Sequence, residues 1–187
     1  MKPLILSYKN VTFKEFVSFW SSFYNYKKED LYVTRIKNKQ FSEGDLLKLF
    51  EWKNGGRLSK KKVKVLQAII SKIDTINKLK VKFSLNVFLK EFKFVKGVIW
   101  KIYLLHIINS GEYAIFDQHV CRAFYFLAIN QKKEIPVKNI EKEKLYFGEY
   151  IDFFNKLVIG ISRKKLDEAL WAFGKFLKTP YGGKIIN

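Results

Sequence analysis

The chain has 187 residues, 48% of them hydrophobic and 17% aromatic, which excludes global disorder and supplies a core for one generous domain or two small lobes sharing one. Its 36 Lys and Arg against 17 Asp and Glu leave a net charge of +19, a self-repulsion relieved by binding a polyanion, nucleic acid first and an anionic membrane surface second. The single cysteine, Cys121, excludes an intrachain disulfide and a cysteine-based zinc or iron–sulfur centre.

The start, MKPLILSYKN, has too short an apolar run for a signal peptide. The stretch VIWKIYLLHII is broken by lysine and too short to span a bilayer, so an intracellular, soluble protein is expected. Part of the lysine excess matches a composition rich in Ile, Phe, Tyr and Asn and poor in Arg, Ala and Pro, as AT-rich coding DNA produces.

Most of the sequence reads as helix. VTFKEFVSFWSSFY has apolar residues at helical spacing, with Thr12 as its cap, and Ser42 caps SEGDLLKLFEWK, which NGG at 54–56 stops. Ser59 opens SKKKVKVLQAIISKIDTINKL, read as one helix with Val63, Leu66, Ile70 and Ile73 on one face. Ser84 or Asn86 caps NVFLKEF, after which GVIWKIYLLHIIN and DQHVCRAFYFLAI follow. A polar connector, residues 130–144, leads to EKLYFGEYIDFFNKLV, and Ser162 opens SRKKLDEALWAFGKFLK, whose stripe is Leu166, Leu170, Phe173 and Leu177. With no internal repeat and no alternating strand pattern, the fold class is all-α, about eight helices without a sharp domain boundary.

One part of this pattern carries chemistry. NVFLKEF and GVIWKIYLLHI form two helices joined by a short turn holding Gly97, with Lys101 in the first turn of the second. A helix start after a tight turn offers unpaired N–H groups and a positive dipole end to a phosphate. That dipole, together with burial, disfavours an ammonium and so favours a neutral, nucleophilic lysine. From Lys101 the helix runs roughly 13 Å to near Asn109, and an extended SGEYAIF returns roughly 23 Å. That reach can bring Asp117, sixteen residues after Lys101, back toward the helix start, where it caps DQHVCRAFYFL.

The residues VKGVIWK (95–101) and IFDQHV (115–120) resemble the hairpin and the aspartate turn of the helix-hairpin-helix DNA glycosylase superfamily, which includes endonuclease III and the 8-oxoguanine glycosylases. Gly97, Val98, Lys101, Asp117 and His119 fall at motif positions, and the likeness covers roughly residues 84–127, with the hairpin at about 84–110. It departs at Ile99, where the family has a second hairpin glycine, and in lacking the cysteine cluster of the endonuclease III branch.

The resemblance implies a single glycosylase-like domain over 1–187, a bundle in two intertwined lobes. It implies a DNA glycosylase with a lyase step that flips a damaged or modified base, an oxidised purine by preference, out of double-stranded DNA. Lys101 would be the Schiff-base nucleophile and Asp117 its partner. Gly97, Val98, Ile99, Lys96 and His119 would contact DNA, and Trp171, Phe173 or Trp100 would serve the base pocket. It implies no cofactor, no metal, no membrane partner, a monomer, and a cytoplasmic, nucleoid-associated location.

Blander readings stand beside these. Lys101 is a solvated first-turn cation or a phosphate contact, Asp117 a cap, His119 a structural or phosphate-contacting group, and His106 a satisfied core histidine. Cys121 and the three aromatics are core, SKKKVK is a phosphate-tracking patch or a solvated turn, and Lys53–Gly56 is an anion-binding turn or a helix stop. The rival functions are a non-catalytic helix-hairpin-helix DNA-binding module and a basic helical protein for RNA or anionic lipid.

Overall fold

The computed structural model describes residues 11–182, and among these every regular element is helical. The opening MKPLILSYKN lies outside the described residues. In chain order the helices are α1 (Phe13–Ser22), α2 (Glu29–Val33), α3 (Glu43–Asn54), α4 (Lys60–Ile70), α5 (Ile73–Val81), α6 (Leu85–Glu91), α7 (Val98–Ile108), α8 (Gln118–Ile129), α9 (Asn139–Leu145), α10 (Ile151–Leu157) and α11 (Arg163–Leu177). A π-helical turn, Tyr146–Tyr150, joins α9 to α10.

The helix starts are local chemistry. Thr12 and Ser42 each form a reciprocal capping box, with Glu15 and Asp45, and Ser59 and Ser84 accept the amides of Lys62 and Val87. Ser162 occupies its expected N-cap position, but its side chain makes no capping bond.

The expected eight helices become eleven among the described residues, for three physical reasons. The long segment after Ser59 breaks at Ser71 and Lys72, where the Ser71 hydroxyl donates back to the Ala68 carbonyl at 2.9 Å and competes with the helical ladder. Part of the 130–144 connector is helical, because α9 begins at Asn139 and runs into the π-turn. Helix α2 has five residues, too few to display a helical period, and is held by the buried Tyr32, whose ring stacks on Trp52 at 4.4 Å.

The chain divides into two compact units. The first gathers the segment ending at Tyr24, Asp117–Ile135 and the segment beginning at Asp152; the second gathers Asn25–Phe116 and Pro136–Ile151. In the first unit α11 packs against both α1 and α8. Its core is aromatic, with Phe16, Trp20 and Phe126 around the fully buried Phe173 at centroid distances of 5.0–5.4 Å. The second unit is built around α7, whose residues from Ile102 to Ile108 are all buried.

Candidate nucleic-acid interface

The hairpin lies within the second unit. After α6 the chain turns at 92–94, passes through 95–97 without regular structure and enters α7 at Val98. Val95 and Val98, at 0% and 3% exposure, anchor this connection. Gly97 is exposed at the N-cap, with φ −76° and ψ 103°, backbone that any residue adopts. A Cβ there would meet only the Trp100 Cβ, at 3.9 Å. Neither strain nor crowding requires this glycine, and the first-turn amides of α7 have no intrahelical acceptor. Lys96 beside it is exposed, and its carbonyl accepts from Asn139 at 2.9 Å. Ile99 is half-buried.

Lys101 is the first residue of α7 whose amide closes a helical bond, to Gly97 at 2.9 Å. Its ammonium lies 2.6 Å from the Glu143 carboxylate of α9, with side-chain exposures of 18% and 31%. The helix dipole by itself does not specify this carboxylate. Its only sequence signal was the alternating charge of EKEK, and that stretch reads equally well as a solvated linker.

A basic surface lies in the same unit. Lys62, in the first turn of α4, donates to the Asn54 side-chain oxygen and sits over the Trp100 ring at 5.8 Å. The opening of SKKKVK is thereby tied to the end of α3 and to the first turn of α7. Arg57, Lys60, Lys61 and Lys64 are exposed around it. The NGG segment is a helix stop: Gly55 is left-handed at φ 74°, and the Gly55 and Gly56 amides bond to Trp52 and Glu51. Asn54 also donates to the Gly56 and Arg57 carbonyls, so the anion-binding reading of this turn fails because its donors are already engaged.

The segment leading to Asp117 is held carbonyl by carbonyl. Tyr113, Ala114, Ile115 and Phe116 are buried without regular structure, so their carbonyls need donors from elsewhere. His106 Nδ1 donates to Tyr113 at 2.7 Å, Tyr146 to Ala114 at 2.8 Å, Tyr150 to Ile115 at 3.3 Å and Lys53 to Phe116 at 3.4 Å. Because His106 Nδ1 donates, its Nε2 accepts from the Tyr32 hydroxyl at 2.7 Å, and His106 is a satisfied core histidine.

Asp117, in the first unit, is the N-cap of α8, with Oδ1 accepting from His119 at 2.8 Å and from Val120 at 3.1 Å. His119 packs its ring against Trp171 at 5.2 Å, and Arg122 Nη1 donates to His119 Nδ1 at 3.1 Å. A guanidinium only donates, so this histidine is the neutral Nε2–H tautomer. Burial is the main cause holding its pKa below the ordinary value, and the Arg122 cation adds to it. Arg122 itself is fully buried, bonded to Glu134 at 2.6 Å and to the Gly174 carbonyl at 2.9 Å.

Of the three aromatics expected at a base pocket, Phe173 belongs to the core, with no exposed surface. Trp171 and Trp100 are half-buried, the first with Lys175 4.9 Å over its ring. Lys101 and Asp117 fall in different units.

No family model, no curated protein and no solved structure matches the chain.

Among the described residues, no helix is long and apolar enough to cross a membrane, and no three His, Cys, Asp or Glu side chains form a group able to hold a metal ion. Cys121 is buried, which pushes its thiol up to about 12 and makes it a core residue. Lys80 of α5 is half-buried, its ammonium 3.8 Å from the Phe41 ring centre and 3.3 Å from the Ile107 carbonyl, and burial lowers it to about 8. Between pH 8 and the ordinary lysine range, the unfolded chain keeps a proton on Lys80 that the folded chain has lost. The expected result is stability that rises with pH from about 8 to about 10, measured by denaturant melts, and a smaller rise in Lys80→Met.

Proposed function

We propose that this protein is a DNA glycosylase of the helix-hairpin-helix type with an associated lyase step, acting on a base flipped from double-stranded DNA in the cytoplasm. The observation that carries the reading is Lys101, one turn beyond an exposed glycine cap and held by a carboxylate in a largely buried contact, not dispersed in solvent. On this reading the α7 start takes a backbone phosphate, and Arg57, Lys60, Lys61 and Lys64 supply the sequence-independent attraction. The sequence resemblance assigns Lys101 the attack on the sugar carbon and Asp117 the stabilisation of the cationic sugar. The net charge of +19 supports a polyanion partner.

The test is borohydride trapping on duplexes carrying candidate lesions or an abasic site. Wild type is expected to form a covalent adduct that Lys101→Ala loses, and Asp117→Asn is expected to slow base release at least about a hundredfold. A monofunctional glycosylase would instead keep base release in Lys101→Ala.

A second reading is a non-catalytic helix-hairpin-helix module. It is favoured by Ile99 at the second hairpin position. Duplex binding with a steep salt slope, and neither an adduct nor base release on any lesion, would select it.

A further inference from the structure

We propose that Glu143 is the proton acceptor for Lys101, an additional positioning residue of the reaction rather than a surface ion-pair partner. The inference rests on the reading of Lys101 as the nucleophile. Its ground is the contact itself: 2.6 Å between Nζ and Oε1, both side chains mostly covered, made by residues 42 positions apart on α7 and α9.

Lys96 before α7 and Lys144 of α9 are exposed, and several other charged and titratable groups on the neighbouring elements are engaged elsewhere. Lys62 of α4 is turned to Asn54 and Trp100, and Lys53 of α3 reaches the Phe116 carbonyl and the Tyr103 ring. Lys80 of α5 bonds the Ile107 carbonyl, and Tyr146 of the π-turn bonds the Ala114 carbonyl. On α9 itself Lys142 bonds Val137, and Glu141 pairs with Lys138. Glu143 is therefore the carboxylate placed to take a proton from this amine.

At rest the pair is an ammonium facing a carboxylate. DNA laid over the pair excludes water from the Nζ–Oε1 hydrogen bond, which leaves Glu143 as the near acceptor for the proton. The proton then moves along the existing hydrogen bond from Nζ to Oε1. On an abasic deoxyribose, the freed lone pair forms the Nζ–C1′ bond as the carbonyl π bond opens onto oxygen. Two of the three ammonium protons, one of them through Glu143, leave with that oxygen as water. The product is a protonated Schiff base, and Glu143 is again a carboxylate.

The sign of one substitution decides the matter. If Glu143 only stabilises the ammonium, Glu143→Gln frees the amine and trapping is unchanged or faster. If it accepts the proton, Glu143→Gln slows trapping. Rates of borohydride trapping are to be measured on a duplex with one abasic site, from mildly acidic to mildly basic pH. The expected result is a loss of about a hundredfold in Glu143→Gln, with the rising limb of the pH profile displaced to higher pH. Formate added to Glu143→Ala is expected to restore part of the rate, which a purely structural role does not allow. Trapping in Glu143→Gln at the wild-type rate or above, or no rescue by formate, overturns the proposal while leaving the Lys101 reading intact. No adduct with wild type, or an equal adduct with Lys101→Ala, overturns that reading and this inference with it.

Discussion

Gly174→Ala is expected to be the most damaging small substitution in the chain. A Cβ at this position would lie 1.8 Å from the His119 carbonyl oxygen and 2.5 Å from its carbonyl carbon. Both are backbone atoms of α8, so no rotamer change relieves the overlap, and α8 and α11 have to separate. These are the helices that hold the core of the first unit, and the same movement breaks the bond from Arg122 to the Gly174 carbonyl. The cost is at least about 3 kcal/mol, the upper range for overpacking, or roughly 6–12 °C in Tm for a chain of this size. Gly148 provides the comparison, because a Cβ there meets nothing within 4 Å. Gly148→Ala should be neutral or slightly stabilising through the unfolded state. Thermal melts of the two variants test the argument, and a Gly174→Ala protein melting with wild type would remove its basis.

The second large effect is at Arg122. Its side chain has no exposed surface, its Nη2 has no hydrogen-bond partner, and its carboxylate partner, Glu134, is itself 63% exposed. Removing the arginine does not strand a buried anion, since Glu134 can rehydrate. The cost of Arg122→Ala comes from the cavity and from the buried Gly174 carbonyl left without its donor, together about 3 kcal/mol. Arg122→Met fills most of the volume and should recover much of the loss, as buried ionic groups often do when exchanged for apolar side chains of similar size. In the same variant His119 loses both a donor on Nδ1 and a neighbouring cation, so its pKa is expected to rise toward the ordinary histidine value. An NMR titration of the His119 ring reads this directly. A stability loss in Arg122→Met as large as in Arg122→Ala, with His119 unmoved, would argue against this account.

Both sites show which links of the argument run along the sequence and which do not. Five helix starts were legible, because a cap acts on amides two or three residues away: Thr12, Ser42, Ser59, Ser84 and Asp117 bond as their positions require, while Ser162 makes no capping bond. The stop at NGG was legible for the same reason, since a left-handed glycine is a demand of the local backbone. His106 was legible as a core residue from the apolar helix around it, although not its partners Tyr32 and Tyr113. The breaks at Ser71 and at the π-turn escaped because the apolar period continues through them.

By itself, then, the sequence determined an all-helical chain with its caps, its stop and a surplus of positive charge, all consequences of spacing and of interactions within one or two turns. Tertiary structure alone decided that Lys101 faces Glu143, and that four separate side chains hold the carbonyls before Asp117. It alone decided that Gly174 is the point where α11 crosses the backbone of α8, and that Phe173 belongs to a core. The physical reason is common to these four. Each depends on which surfaces come together across tens of residues, and a side chain's donors, charge and volume do not by themselves specify the partner that packing brings to them.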